Sequence, residues 1–183
     1  MMEIYFSVDV EAAGPTPSRY SMLSVGACIV GDADKTFYTE LEPINNNFVP
    51  DAMTIAGHDL AYFAGHGVPP SVAMKNFNKW VLTTAGVYNP VFVGFNAPFD
   101  WSFVNWYFNE YFGSNPFGIG GIDIKAYFMA ISGCLWSETT ASKIPKRFKG
   151  KSPHTHNALD DAIQQAEMFE KMLAYTNDRN NLS

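Results

Sequence analysis

The chain has 183 residues, 47% of them hydrophobic and 16% charged, enough to enclose a sizeable core in one soluble domain. Its net charge of −6 argues mildly against a nucleic-acid partner, and no stretch approaches the ~20 apolar residues of a membrane span. The opening MMEIYFSVDV carries neither a basic leader nor a long apolar core, and Cys28 and Cys134 lack CxxC spacing, so the expectation is a cytoplasmic protein with two buried thiols and neither a disulfide nor a zinc site.

In chain order, Glu3 to Val10 alternates with Ile4, Phe6, Val8 and Val10 on one side, the period of a strand. Met22 to Val30 and Thr36 to Leu41 read as two more strands joined by the turn-like GDAD, which makes a meander. Residues 43–70, rich in Asn, Pro and Gly, read as a connection with one short helix near Ala52 to Phe63. Ser71 to Thr84 is an amphipathic helix with Val72, Phe77, Trp80 and Val81 as its apolar stripe. Val91 to Phe95 is a short strand, Phe99 to Phe112 an aromatic helix, and Gly121 to Ile124 a fifth strand running into a helix. Leu159 to Tyr175 closes the chain as a helix, with 176–183 expected as a disordered tail. A meander followed by strand and helix alternation predicts an α/β fold with a mixed sheet. Pro and Gly are spread along the chain rather than massed in a linker, so 1–183 reads as a single domain.

Asp9 and Glu11 project from one face of the first strand, roughly 6 to 7 Å apart along it, where it ends. Two carboxylates about 4 Å apart repel by roughly 4 kcal/mol at an effective dielectric near 20, a cost relieved by a proton or a cation. A strand end running into solvent is the plainer account, so the pair needs company. VFVGFNAPFDWSF at 91–103 supplies it: Asn96 and Pro98 behave as helix-start residues and place Asp100 in the first turn. An acid there also suits the helix dipole alone, but the mouth beyond a parallel strand is where α/β folds build sites.

In HTHNALDDAIQQAEMFEKML, residues Leu159, Ala162, Ile163, Ala166, Phe169 and Leu173 form the expected buried stripe. Asp161 lies near its edge, and Asp160 is a surface acid. His156 precedes Asp161 by five residues, which on one helix would separate the side chains by about 140°, so His156 belongs on the loop leading in.

These three segments, DVE, NAPFD and HNALDD, resemble the signature of the DEDDh 3′-5′ exonucleases, which include ribonuclease T, oligoribonuclease and the proofreading subunits of DNA polymerases. The trio spans about 150 of the 183 residues in the family's order. MLSVGACIV resembles the stretch where such enzymes read I-x-I-G-A-V. The resemblance implies an RNase H-like fold, a five-stranded mixed sheet between helices. It also implies that Asp9, Glu11, Asp100 and Asp161 hold two divalent ions, Mg or Mn, with His156 taking the proton from the attacking water. The implied partner is single-stranded RNA or DNA with a free 3′ end, and the implied products are nucleoside 5′-monophosphates. By the same analogy the backbone of Ala12 and Ala13 cradles the terminal nucleotide, although AAGP stands where many relatives have T-T-G.

Asn96 and Phe99 beside Asp100 are further candidates for nucleic-acid contact, Phe99 by stacking on a base or else by packing in the core. The nearest match to the relatives' His-Gly pair, AGH at Ala56 to His58, is displaced, and no role is carried to His58. KIPKRFKGK gathers five of the twelve Lys and Arg residues within nine positions. Lys146, Arg147 and Lys149 there are expected to follow a phosphate backbone at the site's rim; a solvated loop is the bland alternative. The aromatic helix offers either a homodimer surface, common among ribonuclease T relatives, or core. Two rival functions remain from the residues alone: a metal-dependent hydrolase of small nucleotides or phosphate esters, favoured by a closed pocket, and an inactive nucleic-acid-binding module.

Overall fold

The computed structural model describes residues 2–150 and 155–181. The alternating opening forms β1 (Glu3–Ala12), followed by β2 (Met22–Ile29) and β3 (Asp32–Glu40). Helices α1 (Pro50–Ala56), α2 (Leu60–His66) and α3 (Pro70–Ala85) lead to β4 (Asn89–Gly94) and α4 (Pro98–Tyr111). Then come β5 (Gly121–Asp123), α5 (Ile124–Ser132), a short 3₁₀ turn at Trp136–Glu138 and α6 (Ala158–Asn181). The sheet order is β3-β2-β1-β4-β5, antiparallel across β1–β2 and β2–β3 and parallel across β1–β4 and β4–β5. The mixed five-stranded sheet expected from the sequence is present. No helix among the described residues is long and apolar enough to cross a membrane.

The period-2 pattern of β1 divides the core. Phe6, Val8 and Val10 pack with Phe92 against Phe77 and Val81 of α3 and Phe103, Tyr107 and Phe108 of α4. Ser7 faces the other way, its hydroxyl donating to the Ala162 carbonyl of α6 at 2.7 Å. There α6 packs with α5 around Phe128, Ile144, Phe148, Met168, Phe169 and Met172. The aromatic helix α4 therefore spends its rings in the interior: Phe103, Tyr107 and Phe108 are fully buried, and the Tyr107 hydroxyl accepts the Met22 N–H at 2.8 Å.

Two features set the position of the last helix. A Cβ at Gly26 would overlap the backbone of Ala158 and Leu159, so only glycine lets the first turn of α6 rest on β2 opposite Asp9. Gln165, one turn beyond Asp161, donates to the Val8 carbonyl at 2.9 Å and accepts from Phe95 N–H at 2.6 Å. The β1–β4 ladder stops at the Ser7–Val93 pair, and this buried amide bridges the gap beyond it.

Several expectations need correction. The connection 43–70 carries two helices, separated at Gly57, which adopts the left-handed conformation, with Asp59 capping α2 through the Tyr62 N–H. Val72 is exposed, and α3 buries Ala73, Met74, Phe77, Val81 and Ala85 instead. On α6 the buried stripe keeps Ala162, Ala166 and Phe169 but is rotated to include Ala158, Asp161, Gln165, Met168 and Met172, leaving Leu159, Ile163 and Leu173 half-buried, because the close approach at Gly26 turns the small residues inward. Cys28 is buried, but Cys134 is only partly so. Residues 176–181, expected in a tail, continue α6, with Thr176 accepting from the Tyr127 hydroxyl at 2.9 Å; 182–183 lie outside the described residues.

Gly26→Ala is expected to lower stability by about 1–3 kcal/mol, since backbone rather than a flexible side chain must yield. Urea unfolding of the variant checks this, and an unchanged midpoint would show that α6 can retreat freely.

Candidate active site

Asp9 and Glu11 stand on the α6 face of β1, at the end that outruns β4. Asp100 reaches the same place from α4. Pro98 occupies the first helical turn, as expected, but Asn96 is not the cap: its backbone is left-handed, φ 66°, and Asp123 of β5 accepts the Asn96 and Ala97 N–H groups at 3.0 and 3.3 Å. This fixes the start of α4, and Asp100 Oδ1 accepts the Val10 N–H at 3.1 Å. Asp161 arrives from α6, which begins at Ala158 because Asn157 Oδ1 accepts the Leu159 and Asp160 N–H groups. Its two carboxylate oxygens accept the Thr155 and His156 N–H groups, each at 3.1 Å. Those bonds hold His156 in the left-handed region, φ 57°, on a loop ahead of the helix as the spacing required.

The four acids come together. One ligand atom from each of Glu11, His156 and Asp161 lies within 4.8 Å of the others. Burial drives the Asp9 carboxyl well above the usual carboxylate range, aided by the charges of Asp100, Glu11 and Asp161. Burial and then Asp161 push Glu11 up to about 8. Asp100 is raised too, chiefly by burial, against the lowering effect of the Val10 hydrogen bond. Among the described residues no Lys or Arg is paired with Asp9, Glu11 or Asp100. Hard oxygen donors crowded together suit a hard divalent ion.

Three cavities open onto this cluster. One of about 520 Å³ is lined by Asp9 and Asp161 with Phe95, Ala141, Ser142 and Lys149. An apolar one of about 430 Å³ runs from Glu11 past Ala12, Val49, Ile55 and Phe99. A third of about 220 Å³ contains Glu11, His156, Glu40 and His58, the last stacked on Tyr62 with ring centres 3.8 Å apart. His58 thus reaches the site's edge despite its displaced position in the sequence.

The other candidates divide. Ala12 and Phe99 line the apolar cavity, Phe99 also packing on Phe103. Ala13 is buried, its N–H given to the Ser21 carbonyl and its own carbonyl taken by Val49 N–H, so its backbone serves the fold. The Asn96 side chain accepts from Lys125 Nζ at 3.1 Å. The basic run is anchored by the buried side chains of Ile144 and Phe148 rather than loose. Lys149 faces the large cavity, whereas Arg147 lies against the Phe148 and Tyr175 rings and Lys146 is simply exposed. Lys151 lies outside the described residues. Gln165 escaped the sequence reading, although a glutamine four residues after Asp161 on an otherwise apolar stripe was a usable signal.

Comparison with known proteins agrees with this geometry. The family model described as the 3′-5′ exoribonuclease Rv2179c-like domain matches residues 5–173. The chain belongs to that family. It is 45% identical over 168 residues to the 3′-5′ DNA exonuclease Cap18 of Escherichia coli, covering 91% of this chain and 90% of that one. Among solved structures it resembles the nuclease domain of 3′hExo, a DEDDh family member bound to rAMP, with TM-score 0.74 and 18% identity over 95% of this chain and 93% of that one. It also resembles E. coli exonuclease I in complex with a dA16 oligonucleotide, with TM-score 0.64 and 17% identity over 94% of this chain but only 41% of that one. The likeness to these structures carries the RNase H-like fold, and the family carries the activity class, a 3′-5′ exonuclease.

The raised carboxyls give a pH dependence. A carboxyl whose folded pKa exceeds its unfolded value favours the fold while protonated, and that stability is lost as pH rises through the folded value. For Glu11 the window runs from 4.5 to about 8. Metal-free protein should therefore melt at lower temperature as pH rises across this window, and Glu11→Gln should flatten the decline. A melting curve in chelator that is flat with pH, or identical for the variant, would contradict the assignment.

Proposed function

We propose that this chain shortens single-stranded nucleic acid from its 3′ end by hydrolysis, releasing nucleoside 5′-monophosphates, and that residues 1–183 act as a single exonuclease domain. The observation that supports this is the gathering of Asp9, Glu11, Asp100 and Asp161, from three distant segments, with His156 against two of them. The four carboxylates would hold two divalent cations, Mg or Mn, which when bound supply charge compensation for the attacking and leaving oxygens of the displacement. The chain's own residues supply the rest.

His156 is placed to take the proton of the attacking water, its backbone held by Asp161. Phe99, Ala12 and Ile55 offer an apolar wall for the terminal base, since an aromatic face accepts any base. Lys149, sharing a cavity with Asp9 and Asp161, offers a cation to the phosphate entering there. Cavities opening on several sides of the carboxylates favour a polymer end over a small ester in a closed pocket. The family description names RNA and the Cap18 relative names DNA; 45% identity in an alignment that covers nine tenths of both chains ranks DNA first here. Partly exposed, unpaired thiol at Cys134 fits a reducing, cytoplasmic setting.

Incubating 5′-labelled single-stranded DNA and RNA with Mg, Mn or chelator should yield a ladder shortening from the 3′ end, abolished by chelator and by Asp9→Ala. His156→Ala should slow it by roughly 10²- to 10⁴-fold. Shortening that survives Asp9→Ala, or label released from the 5′ end, would reject the reading. Lys149→Ala should weaken binding and flatten its salt dependence. Arg147→Ala should instead lower the melting temperature through lost ring contacts, and equal effects from both would remove Lys149 from the phosphate path.

A further inference from the structure

We propose that Trp136 and Lys125 form a second nucleotide-docking step on the rim of the active-site cleft, upstream of the 3′ terminal residue. Trp136 would stack a base and Lys125 would hold the adjoining phosphate; this rests on the exonuclease reading of the site.

The pair belongs to no part of the core. Trp136 is half exposed and Leu135 beside it is 71% exposed, and neither joins any of the hydrophobic clusters among the described residues. A large aromatic side chain left half in water has surface to offer a partner. The turn that carries it is tied down. The Trp136 carbonyl accepts both the backbone N–H and the hydroxyl of buried Thr139, at 3.1 and 2.8 Å. Glu138 accepts the Leu135 N–H at 2.9 Å and closes the turn.

Lys125 ties the indole to the site. Its ammonium lies 4.3 Å from the centre of the Trp136 ring and donates to Asn96 Oδ1 at 3.1 Å. Asn96 directly follows Phe95, which lines the cavity containing Asp9 and Asp161; Ala141 and Ser142, shortly after Trp136 in sequence, line that cavity too. The pair is thus joined through Asn96 to the neighbour of the cavity's Phe95, and Trp136 lies five residues ahead of the cavity's Ala141. An ammonium has three donors, and one engages Asn96, so capacity remains for a phosphate oxygen.

Charge favours a polyanion here. From Asp123 to Gly150 the chain carries five basic residues and two acids, Asp123 and Glu138, although its net charge is −6. Both acids are engaged by backbone N–H groups, Asp123 by Asn96, Ala97 and Lys125 and Glu138 by Leu135. A strand whose last phosphate lies at the carboxylates and which leaves past Lys149 and Lys125 would meet cations with an aromatic face beside them, the combination that binds single strands without sequence preference.

The test is binding by fluorescence anisotropy of 5′-labelled single strands of increasing length, each with a 3′ terminal phosphorothioate and Ca in place of Mg so that it stays intact. Wild-type affinity should rise with length, and Trp136→Ala should lose roughly 5- to 100-fold on strands long enough to reach the rim. Trp136→Phe should recover most of that loss. Lys125→Ala should reduce the slope of log affinity against log salt by about one. A 2-aminopurine near the 3′ end, quenched by wild type, should stay bright with Trp136→Ala, a signature that mere loosening of the turn would not produce. Wild-type affinity of Trp136→Ala for all lengths, or quenching that persists, overturns the docking step while leaving the exonuclease reading intact. Failure of wild type to bind any strand rejects both.

Discussion

The site depends on two parallel strands that part company. β1 continues five residues beyond its last pairing with β4, and its backbone groups on that side must find partners elsewhere. Gln165 takes the Val8 carbonyl and Asp100 takes the Val10 N–H. Satisfying these groups draws α6 and α4 to the same spot, which is why Asp161 and Asp100 meet Asp9 and Glu11. An unmet buried carbonyl or N–H costs about 1–3 kcal/mol, so the geometry is enforced by the fold itself. Gly26 completes the arrangement from the far side by allowing helix backbone to touch strand.

The same convergence is electrostatically unfavourable in the bare protein. Three carboxyls have raised pKa values, with burial as the largest cause in each. The chain tolerates this because aromatic packing across the sheet is extensive: Phe6, Phe77, Phe92, Phe108 and Phe117 contact one another through stacked and edge-on rings. Stability accumulated on the α3 and α4 side offsets the strain stored at the mouth.

Periodicity and motif order made much of this legible. The strands in chain order and the loop position of His156 follow from a spacing of two, from helix-start residues, and from a five-residue offset that no single helix face could accommodate, while the gathering of Asp9, Glu11, Asp100, Asp161 and His156 is suggested by the resemblance of three short motifs to a known family. What escaped were distances between segments remote in sequence. Nothing near Asn96 reveals that Asp123, twenty-seven residues on, accepts its N–H and that of Ala97 just ahead of α4. The rotation of the α6 stripe depends on a glycine in β2, and the withdrawal of Ala13 on partners at Ser21 and Val49. Lys149 and Arg147 look alike in a basic run, yet one faces the carboxylates and the other two rings. Such choices belong to tertiary packing, to which local pattern is blind.

Asp161 has a double attachment. Its two oxygens grip the backbone of Thr155 and His156 while the same group faces Glu11. The acidic cluster and the His156 loop are thus mechanically linked: whatever pulls on this carboxylate also pulls on the peptide that carries the imidazole. Removing its charge would therefore disturb the acidic cluster and the His156 loop together, with one substitution.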